Sequence, residues 1–220
     1  MAILHHPDDA TLMSFAAGSL PEALAAVVAT HLAMCQSCTQ DVAEMELLGS
    51  VFLSHEAPAH MERGVSRAKF HAAEADMDDE VMTRPCASSD SCSEIPGPLA
   101  RVLGDNLDDI HWKRLGFGVW HHPIPLSGAN SGDLRLLKVA PGRVMPEHGH
   151  GGSELTLLLR GSYTDEVGVF SVGDLADLDD EIDHSPIADP VHGCICLIAS
   201  EEKAKFKSIF ARMVQPLTGI

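Results

Sequence analysis

A histidine and two cysteines near the start of the chain lie at a spacing that is typical of metal ligands. The stretch ATHLAMCQSC contains His31, Cys35 and Cys38 in the pattern H-x3-C-x2-C. The tight turn between the cysteines lets both sulfurs bind one ion, and thiolates with imidazole favour tetrahedral Zn²⁺. Because such a site takes four ligands, the pattern predicts one more Cys or His from a neighbouring element.

The adjacent pair His5 and His6, just before the first predicted helix, supplies that fourth ligand, and residue spacing does not choose between them. Four protein ligands leave no open coordination position, so the predicted zinc site is structural rather than catalytic. Zinc binding of this kind is coupled to folding and can hold a small helical unit together. The alternatives for the cysteine pattern are a reducing redox motif and a pair of buried cysteines.

Helical patterns fill the first half of the chain. Apolar residues recur at helical spacing in three segments, residues 7–18, 19–35 and 38–52. Ser19 and Glu22 are spaced as a capping box at the start of the second segment. A further, strongly polar helix is predicted from Met61 to Val81, and its weak apolar face indicates that it needs a partner to pack on.

A stretch rich in Ser, Pro and Cys, RPCASSDSCSEIPGP, separates these helices from a different pattern and has the composition of a linker. We assign no role to its cysteines, Cys86 and Cys92. Beyond it, short apolar runs such as DLRLLKVA and CICLIAS are broken by Gly and Pro, as in a β-barrel or sandwich. The sequence therefore predicts an α+β protein in two domains: a zinc-bound helical bundle (residues 1–84), a linker (85–97) and an all-β domain (98–220).

The second half contains another group of candidate metal ligands. His148 and His150 are two residues apart in an extended segment, so they point to the same side, and Glu154 opens the next strand. His184 follows a glycine turn further along and supplies a fourth ligand in this interpretation. Three imidazoles and one carboxylate suit Zn, Fe, Mn, Ni or Cu. The alternative is two surface histidines in a glycine-rich loop beside a solvated glutamate.

Cys194 and Cys196 form a candidate redox pair on a predicted strand. Their spacing places both thiols on one face. If that face looks into a barrel, the thiols lie near the metal and are open to oxidation. The alternative is that they serve as two small buried hydrophobic residues.

The chain is strongly acidic, with a formal net charge of −17. Phosphate backbones select for Lys and Arg, so direct nucleic-acid binding is not expected. An acidic surface suits a basic partner, including a protein that itself binds DNA, although acidity alone also confers solubility. No apolar run approaches the length of a membrane span, and the N-terminus lacks the features of a signal peptide. We therefore expect a cytoplasmic protein without membrane contact.

An N-terminal histidine followed by H-x3-C-x2-C on short helices resembles the zinc-binding anti-sigma domain of bacteria. The pattern G-x5-H-x-H-x3-E-x6-G around His148 resembles the first cupin motif. The second cupin motif, around His184, matches only in part, because the usual Pro-x-Gly before the histidine and the Asn after it are absent. Together the two halves resemble the ChrR-type regulators, which place a cupin barrel after the anti-sigma domain.

The resemblance implies two sets of metal ligands: His6, His31, Cys35 and Cys38 for zinc, and His148, His150, Glu154 and His184 for a divalent cupin metal, with Zn²⁺ first. It also implies a non-enzymatic anti-sigma factor that keeps an ECF-type sigma factor from RNA polymerase. Release would follow a signal at the cupin, singlet oxygen or a related oxidant. A second hypothesis is a dioxygenase-like cupin metalloenzyme with a zinc-stabilised regulatory appendage, and a third is a metal-storage or metal-sensing protein.

Overall fold

The computed structural model describes residues 2–57, 94–128, 132–146, 148–149, 152–178, 184–201 and 205–206. The polar helix predicted from Met61 to Val81 and most of the predicted linker lie outside these ranges. Both stay predictions, as do the domain boundaries. Within the described part, Ile95 is fully buried and helix formation resumes at Gly97.

The described helices are α1 (Asp9–Ala16), α2 (Glu22–Leu32), α3 (Gln36–His55) and α4 (Gly97–Leu103), followed by a 3₁₀ turn (Leu107–Asp109). The first three confirm the helical patterns of the N-terminal half. Asp8 caps α1 by accepting a hydrogen bond from the Thr11 N–H at 2.6 Å.

The start and end of α2 differ from the prediction. The capping box does not form, because the residue before the helix is Pro21 and no side chain caps it. The carboxylate of Glu22 instead accepts hydrogen bonds from the N–H and the hydroxyl of Ser127 in the β-rich half. The helix ends at Leu32 rather than continuing to Cys35, which precedes the first residue of α3.

The described strands are β1 (Lys113–Gly116), β2 (Val119–Pro123), β3 (Asp133–Val139), β4 (His148–Gly149), β5 (Glu154–Thr164), β6 (Val169–Ser171), β7 (Leu175–Leu178), β8 (Ile187–Ala188), β9 (Cys194–Ser200) and β10 (Lys205–Phe206). Eight of them form an antiparallel sheet in the order β1-β2-β3-β9-β5-β6, with β7 and β8 also pairing with β5. Strands β4 and β10 form a separate pair. The predicted β-sheet domain is present, but the second half is not all-β, because α4 and the 3₁₀ turn precede the sheet. Among the described residues the sheet is not closed, so the predicted barrel closure is not seen there.

The central strands of the sheet are buried on both faces. On β9, Ile195, Leu197 and Ala199 belong to one hydrophobic cluster, whereas Cys194 and Cys196 belong to another. Strand β5 alternates in the same way. Because side chains alternate along a strand, the sheet is a wall with a different core on each side.

The helices pack directly on one face of this sheet. Val27 and Val28 of α2 are fully buried in the same cluster as Leu136, Leu157 and Leu197 of the sheet. The helical half and the β-rich half therefore share a hydrophobic core and are not joined by a linker alone.

Candidate metal centre and cupin-like cavity

Four side chains from three separate segments converge beside the helix–sheet junction. The ligand atoms of His6, His31, Cys35 and Cys38 all lie within 4.8 Å of one another. The Nδ1 atom of His6 is 3.4 Å from the Cys35 sulfur and 3.2 Å from the Cys38 sulfur, and His31 Nε2 is 3.4 Å from the Cys38 sulfur. Ligand atoms around a tetrahedral zinc ion lie about 3.5 Å apart, given metal bonds of 2.0–2.3 Å. The four residues thus fit such an ion in number, chemistry and spacing.

The helix ends explain how the cysteines reach this position. Helix α2 stops one residue after His31, and Cys35 is the N-terminal cap of α3, with an extended backbone. Cys38 lies in the first turn of α3. Both thiols therefore lie at a helix N-terminus, where the partial positive charge of free N–H groups counteracts the cost of burying a thiolate.

The structure distinguishes between His5 and His6, the two candidates for the fourth ligand that residue spacing left open. His6 reaches the sulfurs, whereas His5 turns away and stacks on Phe170 at a ring distance of 4.2 Å. The Nδ1 atom of His5 lies 3.6 Å from the carboxylate of Asp174. The geometry therefore favours His6 as the fourth ligand, in agreement with the resemblance.

Burial and hydrogen bonding shift the pKa values of His31, Cys35 and Cys38. Burial lowers the pKa of His31 to about 4, so this imidazole is neutral at pH 7 and available as a ligand. It raises the pKa of Cys38 to about 12, and the neighbouring Cys35 adds to this shift. Burial also acts to raise the pKa of Cys35, but hydrogen bonds from Cys38 and Ser37 outweigh it, and that pKa is lowered. Cys35 is thus the first thiolate of the pair, and a bound cation would remove the second proton.

The opposite face of the sheet borders a cavity of about 70 Å³. Two of the four predicted cupin ligands, Glu154 and His184, line it together with Tyr163 and both candidate redox cysteines, Cys194 and Cys196. The side chains of the other two predicted ligands, His148 and His150, lie outside the described residues. Two of the predicted ligands and both predicted redox residues thus share one cavity.

Sequence reasoning did not find Asp165, whose carboxylate contacts the cavity residue His184. Its buried carboxylate lies 3.1 Å from Nδ1 of His184. If His184 holds a metal, as predicted, a carboxylate at this position would fix its ring and direct the other nitrogen, Nε2, toward that metal. No motif marks the residue, because it lies 19 positions before its partner.

The two cavity cysteines are close but not bonded to each other. Their sulfurs are 3.9 Å apart, and both residues are buried. The hydrogen bond to Cys194, together with burial, raises the pKa of the Cys196 thiol. The Cys196 side chain is therefore a protonated thiol at neutral pH.

Comparison with known proteins decides the family. A family model described as the ChrR cupin-like domain matches residues 102–204. The anti-sigma-E factor ChrR of Cereibacter sphaeroides is 36% identical over 216 residues, which cover 98% of this chain and 98% of that protein. This chain belongs to the ChrR family of anti-sigma factors. The resemblance stated from the sequence motifs is therefore confirmed.

A solved structure of a ChrR protein matches nearly the whole chain. The structure is that of Rhodobacter sphaeroides SigE in complex with the anti-sigma ChrR. The match covers 90% of the present chain and 100% of the matched chain in that crystal structure. The identity is 35% and the TM-score is 0.71. The combination of N-terminal helices with a cupin-like sheet domain is thus the family architecture.

The C-terminal half of α3 has an exposed apolar face. Leu47, Leu48, Val51 and Phe52 lie on one side of the helix, and Phe52 is 66% exposed. Only Cys38 and Val42 of α3 are buried, near its start. Contiguous exposed apolar side chains are typical of interaction surfaces. No helix in the described ranges is both long and apolar enough to span a bilayer.

Proposed function

We propose that this ChrR-family protein is an anti-sigma factor that binds and inhibits an ECF-type sigma factor through its N-terminal helices. The observation that carries the proposal is the match over 90% of the chain to a ChrR protein solved in complex with the sigma factor SigE. The cytoplasmic location expected from the sequence belongs to this proposal, because a sigma factor acts where RNA polymerase transcribes.

The surface of the helical half supports a basic protein partner. Residues 2–57 contain seven Asp and Glu residues and no Lys or Arg. The apolar face of α3, formed by Leu47, Leu48, Val51 and Phe52, lies beside the acidic residues Glu44 and Glu46 of the same helix. An apolar patch with an acidic rim suits a partner with an apolar patch and a basic rim. We propose that this face of α3 contacts the sigma factor.

The metal centre would hold the helices in the binding shape. Its four ligands would bind Zn²⁺ as a closed structural site, which supplies no chemistry beyond cross-linking the N-terminal segment, α2 and α3. The start of α3 is fixed by this cross-link, and the exposed apolar face continues the same helix. Loss of the metal would therefore change the orientation of the proposed sigma-binding face.

The cupin-like cavity would receive the signal. His148, His150, Glu154 and His184 would hold a divalent metal, with Zn²⁺ first and Fe, Mn, Ni or Cu as alternatives. The shared lining by Glu154, His184 and the thiols of Cys194 and Cys196 supports oxidation at this site by singlet oxygen or a related species. Closure of the sheet into a barrel around this metal is part of the proposal.

The family match supports a regulator over an enzyme, because the relative that aligns with nearly the whole of this chain is named an anti-sigma factor. The cavity, about 70 Å³ as bounded by the described residues, has room for an ion with a few water-sized ligands. The dioxygenase-like alternative would gain support from turnover of an organic substrate by the purified full chain.

The test of the anti-sigma role is co-purification of the full chain with the ECF-type sigma factors of its own organism. We expect one of them to bind the wild-type chain and the variant Cys196→Ala, whereas Cys35→Ala and Cys38→Ala abolish binding. Cys196→Ala is the matched control, since it removes a buried thiol outside the metal centre. Binding of no sigma factor by the zinc-loaded wild type would overturn the proposal. Sigma binding by Cys38→Ala at the wild-type level would refute the role of the metal but not the anti-sigma role.

The test of signal reception uses His148→Ala in cells that carry a sigma-dependent reporter. We expect this variant to keep inhibition in the dark and to respond only weakly to singlet oxygen generated by a photosensitiser. An unchanged response would exclude the cupin metal from sensing. Loss of inhibition without oxidant would instead indicate that the variant disturbs the helical half.

A further inference from the structure

The turn between β6 and β7, residues 171–174, touches the N-terminal segment at several points. The Asp174 carboxylate accepts hydrogen bonds from the N–H groups of Leu4 and His5 at 2.7 and 3.1 Å. The N–H of Leu175, the next residue, donates to the His5 carbonyl at 3.1 Å. These three bonds fix the backbone immediately before His6, a residue that belongs to no helix or strand.

The same turn also fixes a second ligand of the metal centre. The Gly173 carbonyl oxygen lies 3.0 Å from Nδ1 of His31. A hydrogen on Nδ1 leaves the lone pair on Nε2, the atom that lies 3.4 Å from the Cys38 sulfur. Outer contacts of this kind hold the ring orientation and the tautomer of a metal-binding histidine. Two ligands from different segments thus depend on one turn in the other half of the molecule.

The turn has the residues that this contact requires. Gly173 has a φ of +92°, a conformation that favours glycine, and a Cβ added there would lie 2.8 Å from the side chain of Ile3. The side chain of Asp174 is nearly fully buried and also accepts a hydrogen bond from the Ser171 N–H at 2.8 Å. Gly173 therefore allows the N-terminal segment to approach closely, and Asp174 stabilises the turn by a hydrogen bond within it.

We propose that the turn Ser171–Asp174 of the cupin-like domain positions the ligands His6 and His31 of the metal centre. Metal binding by the helices and docking of the cupin-like domain are then one linked equilibrium. Linkage is reciprocal, so whatever loosens the docking weakens metal binding by the same factor. The inference rests on the proposed metal binding at His6, His31, Cys35 and Cys38 and adds the route by which the cupin-like domain reaches it.

A stack of rings continues this route to the cavity. Phe170, one residue before the turn, stacks on His5 at 4.2 Å and on Tyr163 at 4.8 Å. Tyr163 lines the cavity together with Cys194 and Cys196. A change in the cavity that displaces Tyr163 therefore reaches the N-terminal segment through a single intervening side chain.

The first experiment measures metal affinity in the full chain. Co²⁺ bound by thiolates has a characteristic absorption, and Cys38→Ser establishes that this absorption comes from the metal centre by abolishing it. Competition of Zn²⁺ against Co²⁺ and a chelator then gives the zinc affinity of the wild type and of Asp174→Asn. We expect Asp174→Asn to bind Zn²⁺ about 10–100-fold more weakly, as for loss of other outer contacts of metal sites.

The matched control is Asp189→Asn. Asp189 also accepts hydrogen bonds from backbone N–H groups, those of Val191 and His192, in another turn of the cupin-like domain. We expect this variant to bind Zn²⁺ as the wild type does. Equal affinity of Asp174→Asn and wild type would overturn the inference, whereas absence of thiolate–Co²⁺ absorption in the wild type would overturn the metal centre itself.

A second measurement needs no variant and so does not depend on the folding of Asp174→Asn. Hydrogen–deuterium exchange of the wild type is compared with and without zinc at the amides of Leu4, His5 and Leu175. We expect exchange at all three to accelerate at least tenfold when zinc is removed, although Leu175 belongs to the cupin-like domain. Unchanged exchange at Leu175 would contradict the linkage.

Discussion

Substitution of Val27 by alanine tests whether the helical half and the cupin-like half unfold as one unit. Val27 is fully buried on α2, one helical turn from Ala23 and one from His31. Both neighbours lie against the cupin-like half. The Cβ of Ala23 is so close to Gly132 that a Cβ added to that glycine would lie 3.1 Å from it, and His31 contacts the Gly173 carbonyl. Because residues four apart share a helix face, Val27 lies on the side that faces the sheet.

The expected cost follows from three contributions. Removal of two buried methyl groups costs about 1.6 kcal/mol at roughly 0.8 kcal/mol each. Incomplete collapse of the resulting cavity adds roughly 1 kcal/mol. The better helix propensity of alanine offsets roughly 0.5 kcal/mol. We therefore expect Val27→Ala to lower the free energy of unfolding by about 2 kcal/mol.

The tryptophans make the assay specific. The chain has two tryptophans, Trp112 and Trp120, and both lie in the cupin-like half. With a urea dependence of about 2 kcal/mol per molar, the transition seen by tryptophan fluorescence shifts by about 1 M if the two halves share one cooperative core. Val51→Ala, at a half-exposed site on α3, is the matched control and leaves the midpoint unchanged. An unshifted fluorescence transition in Val27→Ala, with a shifted helical signal by circular dichroism, would refute the joint core.

Three further predictions follow from the two sites and the exposed face. In zinc-free protein, His31 binds its proton below about pH 6.5 when unfolded but only below about pH 4 when folded, so stability falls by about 3 kcal/mol as the pH drops through this window. Urea unfolding at several pH values measures this loss, and the His31→Gln variant should show a weaker dependence of stability on pH. Equal pH dependence in the wild type and the variant would contradict the assignment of the loss to His31. Phe52→Asp should weaken sigma binding at least tenfold by calorimetry while the free energy of unfolding changes by less than about 0.5 kcal/mol, since the side chain is 66% exposed; wild-type affinity would exclude the α3 face. Asp165→Asn should lower the affinity of the proposed cupin site for its metal about 10–100-fold, because His184 loses the carboxylate that holds its ring. Metal analysis after dialysis would detect this loss, and full retention of the metal by the variant would contradict the role of Asp165.

Local patterns in the sequence predicted the elements of the fold well. The first three helices and the main strands, including Asp133–Val139 and Cys194–Ser200, lie where periodicity predicted them. Periodicity works because burial of one face is decided within a few residues. The capping box at Ser19 and Glu22 was wrong for the opposite reason. The glutamate has a partner at Ser127, 105 residues away, and no local pattern records that contact.

The candidate metal centre was predictable only in part for the same physical reason. The spacing of His31, Cys35 and Cys38 marks three ligands, because a turn between helices brings near neighbours together. The choice of His6 over His5 came from family resemblance, and the structure adds a physical cause. Asp174 holds the backbone of His5 from a distance of 169 residues, which directs the next side chain toward the sulfurs.

In the proposed signalling, the sheet would connect the cavity in one half of the molecule with the helices in the other. Cys194 and Cys196 face the cavity from β9, and Ile195 and Leu197 face the helices from the same strand. Oxidation of either thiol adds polar atoms to a closely packed wall, and the strand has to shift to accommodate them. Because Leu197 packs in the same core as Val27, that shift would reach α2 without any linker. The sigma-bound and released states would then differ in how the helices lie on the sheet, and a signal acts only by the difference in its interaction with these two arrangements.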